Sequence, residues 1–180
     1  MVIDDWLIDR CDQIVSHFQK EHGASLPALL REATMGAMVS LVALPFAQAF
    51  DGRTVTAAIT MPFVFMALPA LGRWLVRYAR DAAEAWSEAL QRRYLAMAQA
   101  HRMAYASMRM MLVAAVVLAG TAVAQGLAAG EGLRLSSATF LMQSLFAAAC
   151  SYLQCATPQT PSRRRDSETM LALVPIGRPR

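Results

Sequence analysis

The sequence predicts an all-α, polytopic membrane protein: four transmembrane helices in two hairpins, an N-terminal amphipathic helix and a long cytoplasmic helical connector. Three observations predict it. Charged residues make up only 17% of the 180, against 56% apolar ones, well short of the roughly 25% charge of an average soluble chain. The deficit is concentrated in four charge-free runs: eighteen residues between Glu32 and Asp51, nineteen between Arg53 and Arg73, twenty-one between Arg109 and Glu131, and twenty-eight between Arg134 and Arg163. A run of about 18 or more is long enough to cross a ~30 Å hydrocarbon core as a helix. Four such runs leave too little polar surface to solvate a globule. Finally, basic residues cluster between the second and third runs and at the two ends of the chain.

The first segment, 1–32, contains an amphipathic helix over 2–22. Ile3, Leu7, Ile14 and Phe18 recur at helical spacing, and Trp6, Cys11 and Val15 widen the stripe. Asp4 and Asp5 fall in the first turn, where carboxylates suit the helix dipole. Gly23 ends this helix, and Ser25 with Pro27 suits the start of the next. The opening "MVIDDWLIDR" is acidic where a secretory signal is basic, so the first span is expected to act as an internal insertion signal.

Residues 33–72 form the first transmembrane hairpin, "ATMGAMVSLVALPFAQAF" and "TVTAAITMPFVFMALPALG", joined by the turn Asp51-Gly52-Arg53. Pro45, Pro62 and Pro69 lie inside these spans, where neighbouring helices, threonines or water satisfy the freed carbonyls. Residues 73–109 form the basic connector, with seven arginines and no lysine, proline or glycine. Its composition predicts one helix, free to run unbroken into the third span as far as Ala119. Arg77/Asp81, Arg80/Glu84 and Glu88/Arg92 are i,i+4 pairs along it. Residues 110–155 form the second hairpin around the glycine-rich turn "AAGEGLR", with Ser136 or Ser137 as a cap. The tail, 156–180, is rich in proline and basic residues, which predicts disorder.

Each hairpin turn carries one arginine, Arg53 or Arg134. The connector carries seven, the tail five and the N-terminal segment three basic residues. The positive-inside rule therefore puts both termini and the connector in the cytoplasm. Abundant alanine and arginine with a single lysine point to a GC-rich bacterial genome, and so to a bacterial inner membrane. Three cysteines without framework spacing suit a reducing compartment.

No catalytic, cofactor-binding or metal-binding residue is assigned. His17 and His22 are five apart and diverge on a helix, and His17/Glu21 is an ordinary i,i+4 surface contact. The spans hold no ionisable residue at mid-depth, which argues against a proton relay. No phosphate loop, nucleophile elbow or dinucleotide fingerprint occurs, and the connector's arginines are explained by topology rather than by nucleic acid. Two sets of residues are expected to make contacts. Trp86, Leu90, Tyr94 and Met97 form an apolar stripe on the connector that needs a partner: the N-terminal helix is the nearest, an anionic lipid surface on which the connector lies flat is the alternative, and the stripe is where a protein partner is expected to bind. Gln143, Ala147, Ser151 and Gln154 follow one side of the fourth span, and Gly36/Ser40, Ala43/Ala47 and Gly120/Ala124 are small-residue pairs suited to intramembrane helix contacts. The expected function is that of a non-enzymatic structural or assembly subunit of a larger membrane complex, such as a secretion or conjugation apparatus. It would be bounded by membrane lipids and a protein partner or further copies of itself. An oligomeric pore, holin-like protein or small transporter is the alternative.

Overall fold

The computed structural model describes residues 2–84, 86–130 and 132–158. They form six α-helices: α1 Val2–His22, α2 Leu26–Phe50, α3 Thr54–Ala83, α4 Glu88–Ala104, α5 Ala106–Ala128 and α6 Leu135–Leu153, with no strand among the described residues. Three of them, α2, α3 and α5, are long and apolar enough to cross a membrane, which makes this a multi-pass membrane chain by length and composition. The fourth charge-free run corresponds to α6, of 19 residues. Most of the tail, from residue 159 on, lies outside the described residues.

The helices stand in a row. α3 packs on α2, α2 on α6, and α6 on α5. α2 and α6 are therefore the middle of the row and α3 and α5 its flanks. The sequence explains the middle seam. Gly36 leaves room for the Phe146 ring, which lies where a β-carbon would otherwise stand. Four residues on, Ser40 donates a 2.6 Å hydrogen bond to Gln143 of α6. Thr34 sits fully buried beside Cys150, its hydroxyl 3.7 Å from the sulfur. Between α2 and α3 the hydroxyl of Thr60 donates to Gln48 at 2.8 Å. The three prolines stand within α2 and α3, which continue through them.

The turns follow their chemistry. Gly52 has φ +78°, a left-handed conformation that glycine adopts without a steric penalty, and it lets α2 reverse into α3 within three residues. Asp51, beside it, reaches across the row: its carboxylate accepts from the Ser136 amide at 2.8 Å, at the first turn of α6. The turn between α2 and α3 thus caps the first turn of α6.

The unbroken connector helix does not form. The rod stops at Ala83, restarts at Glu88, and breaks again at Tyr105 (φ −121°, ψ 22°). The first break is a reversal. Asp81 and Tyr94 would stand about 20 Å apart along a straight helix, yet the Tyr94 hydroxyl donates to Asp81 at 2.8 Å. Ser87 caps the new helix by accepting from the Leu90 amide at 3.2 Å. Helix-forming composition is a weak prior, and burial of the Leu90–Tyr94 face against the rest of the chain overrides it here.

Candidate functional site

The folded-back connector and α1 form a cap over one end of the row. Its apolar core joins Val15 of α1, Leu26 and Leu30 of α2, Tyr78 of α3, Leu90 and Tyr94 of α4, and Ala156 after α6. Trp86 and Met97 pack against that core, half-buried, and Trp86 lies nearly parallel to Tyr94 with ring centroids 6.5 Å apart. The four residues read as a stripe awaiting a partner are thus brought together against this chain's own helices. Leu90 and Tyr94 are 6% and 2% exposed, whereas Trp86 and Met97 keep part of their surface open. The indole N–H of Trp86 is buried with no acceptor among the described residues.

Beside this core lies a buried ionic cluster. Arg109, at the first turn of α5, is 1% exposed. Its guanidinium grips Asp4 of α1 bidentately, Nε to Oδ1 at 3.0 Å and a terminal nitrogen to Oδ2. The remaining donors turn to the end of α4, meeting the carbonyls of His101 (2.6 Å) and Arg102 (3.2 Å). Those carbonyls belong to the last turn of α4, where intrahelical donors run out; that of His101 also accepts from the Tyr105 amide at 3.3 Å. Arg109 therefore acts as the C-terminal cap of α4, which is why the chain tolerates a break at Tyr105. The Tyr152 hydroxyl, at the end of α6, donates to Asp4 Oδ1 at 3.0 Å. A second arginine repeats the pattern on the rim: Arg102 donates to Asp12 (2.8 Å), to the Cys155 carbonyl (2.8 Å) and to Thr157 (3.0 Å). The Thr157 amide in turn donates to Asp12 at 2.7 Å. Two acid–arginine pairs thus tie α1 to the α4–α5 junction and to the end of α6.

The electrostatics are those of a fastener. The bond from Arg109 holds the Asp4 carboxyl below its ordinary range, against the opposing effect of burial. Burial pushes the Cys11 thiol up to about 12, with Asp12 adding to the rise, so it is protonated and unreactive at neutral pH. Burial, then the charge of Arg109, pushes His101 down. Burial and the bond to Asp81 push Tyr94 up. Asp81, 4% exposed, takes Tyr94 and, at 3.4 Å, Arg93 as its partners, where the sequence had suggested Arg77. Of the three expected i,i+4 pairs, Glu88/Arg92 is made, at 3.1 Å on the surface.

The second expected set lies in the row itself. Gln143 accepts from Ser40, Ser151 is buried, and Gln154 donates to the Tyr78 hydroxyl at 3.0 Å; Ala147 is half-buried beside them. Gly36/Ser40 lies at the α2–α6 seam, whereas Ala124 and Ala43 face outward. Between α2 and α6 an apolar groove of about 750 Å³ opens outward over Met35, Val39 and Met142. His17 meets Glu21 at 3.1 Å on the exposed side of α1. Among the described residues no three His, Cys, Asp or Glu side chains converge as a metal-ligand set.

Sequence reasoning missed Asp4 and Arg109 as a pair. The available signal was local: Arg109 is the last charge before a twenty-one-residue apolar run, and an arginine there needs either water or a counter-ion. No family model, curated protein or solved structure matches this chain.

Proposed function

We propose that this protein is a non-enzymatic structural or assembly subunit of a larger membrane complex, built on four spans (α2, α3, α5 and α6) in two hairpins. One observation carries the reading: the flanking helices leave their apolar faces uncovered along their length. Arg109 and Ala119 are the buried residues of α5, while Met111, Val117, Leu118 and Leu127 lie exposed on it, as Ile59, Phe63, Phe65 and Met66 do on α3. The buried acid–arginine pair of the cap and the amide–hydroxyl bonds of the row, by contrast, hold helices together. A chain so arranged offers surface rather than chemistry. Lipid covers part of that surface, and a protein partner or further copies of the chain cover the rest. Nucleic acid has no place in this reading.

Extraction in a mild detergent after crosslinking in membranes tests it. A stoichiometric companion, or a defined homo-oligomer, is the expected result; a lone monomer under every condition overturns it. The same reading puts the chain in a bacterial inner membrane with both termini cytoplasmic, supported by the seven connector arginines against one in each hairpin turn. A reporter active only in the cytoplasm should work when fused after Arg180 and fail when inserted at the turn holding Glu131.

A further inference from the structure

The amphipathic helix α1 does not bury the face its apolar residues predict. It turns Asp4, Ile8 and Val15 inward, positions spaced four and seven apart and hence on one line along the helix. The second line, Ile3, Leu7, Ile14 and Phe18, runs along its flank. Ile3 is 60% exposed and Ile14 55%, and Trp6 beside them is 54% exposed. Asp5, Asp9 and Gln13 are exposed on the side roughly opposite that flank. The helix thus has three faces: a polar-and-apolar inner one that is locked, an apolar flank, and an acidic outer one.

The depth of this helix decides what covers the flank. Ile8 shares a cluster with Tyr152, Cys155 and, packed against them, Val113. Val113 lies three residues inside the charge-free run that begins at Met110, about 5 Å along the helix axis. Asp4, one turn before Ile8, is bonded to Arg109 at the mouth of the same run. The N-terminal half of α1 is therefore level with the first turns of α5, whose own Met108 and Met111 are exposed there. Its other half climbs away: Val15 packs with Leu26 and Leu30, ahead of the run that begins at Ala33.

We propose that α1 is an interfacial helix, sloping through the headgroup region of the bilayer, with Ile3, Trp6 and Leu7 immersed among phospholipid acyl chains. A helix in this setting sinks its apolar side about 5–10 Å past the headgroups, which is the depth that the Val113 contact gives. Arg10 lies over the Trp6 ring, 5.5 Å from its centroid. A cation over the face of an aromatic ring suits the lipid boundary: one guanidinium nitrogen donates to Gln13 at 2.9 Å, the others reach the phosphates, and the ring stays with the chains. The acids Asp5 and Asp9 face away from the anionic surface. The inference rests on the reading of α5 as a span.

The test uses the full chain in vesicles of phosphatidylcholine and phosphatidylglycerol, with the photoreactive residue p-benzoylphenylalanine placed singly at Ile3, Asp9 or Val117. Illumination should give lipid adducts at Ile3 and Val117 and none at Asp9, read by mass spectrometry. Adducts at Val117 without any at Ile3 overturn the proposal and leave the spanning reading standing, as does a protein adduct at Ile3 in place of lipid. No lipid adduct at Val117 overturns the spanning reading itself. A second measurement does not touch α1: in the Trp74→Phe/Trp86→Phe chain, Trp6 should emit to the blue and be quenched by brominated phosphatidylcholine. Quenching by aqueous iodide instead overturns the proposal.

Discussion

At the scale of single residues, the Asp4–Arg109 pair holds the most at stake. Removing one partner of a buried pair leaves an uncompensated charge, at a cost of about 3–5 kcal/mol. Asp4→Ala should therefore lower the thermal midpoint strongly, and more than Asp5→Ala, whose side chain is exposed. The pair also sets a pH window. Asp4 is lowered in the folded protein, so its contribution is complete above the unfolded value of about 3.9. It disappears as the pH falls through the lower folded-state value. Unfolding midpoints should stay level for this group from pH 8 down to 5 and drop below pH 4, and Asp4→Asn should lose that acid-side step. Little of this was legible in the sequence. Asp4 read as an acid suited to the first turn of a helix, which it is, but its partner lies 105 residues away. A pairing over that distance leaves no periodic trace. The Thr60–Gln48 and Ser40–Gln143 bonds were nearer to hand, because mild polar residues inside apolar runs have few other uses.

At the scale of elements, the end of α1, the turn between α2 and α3 and the start of α6 follow from signals in the sequence: Gly23 after His22, the Asp51–Arg53 turn, and the charge-free run that opens after Arg134. The connector did not follow. Its residues are good helix formers, and two breaks come instead from tertiary contacts, Tyr94 to Asp81 and Arg109 to the end of α4. The apolar stripe was legible as a stripe, and only its neighbours had to be seen. Leu90→Ala should cost about 2–5 kcal/mol, by opening the cap core where Leu90 meets Val15 and Tyr78 in one cluster. Loss of α4 protection in hydrogen exchange, with the row of spans unchanged, would mark that origin. In the row itself, Gly36→Ala puts a methyl 2.4 Å from the Phe146 ring. The ring must move, and such overpacking costs about 1–3 kcal/mol; Gly36→Ala with Phe146→Leu should recover part of it in a thermal unfolding series.

At the scale of the whole molecule, two kinds of contact divide the labour. Ionic and aromatic contacts gather in the cap, and small and amide side chains hold the row. The outward faces of α3 and α5 stay exposed, and on the proposed function lipid or other subunits cover them. Asp51 links the α2–α3 turn to the first turn of α6, at the end away from the cap. Asp51→Ala should leave α2 and α3 inserted while a larger fraction of chains fails to place α6, as read by protease or thiol accessibility of residues 135–153 in membranes. The reason lies in the order in which the ribosome delivers the helices. On the four-span reading, α6 emerges last, is shorter than α2, α3 and α5, and carries Gln143, Ser144 and Ser151 within it. A translocation channel sorting segments by oiliness alone would pass it less readily into lipid than the others. By then α2 is already waiting with Ser40 for its glutamine, Gly36 for its phenylalanine, and Asp51 for its first amide. On that reading the α2–α3 pair is the insertion scaffold for α6, and the chain's biogenesis runs in the same direction as its packing.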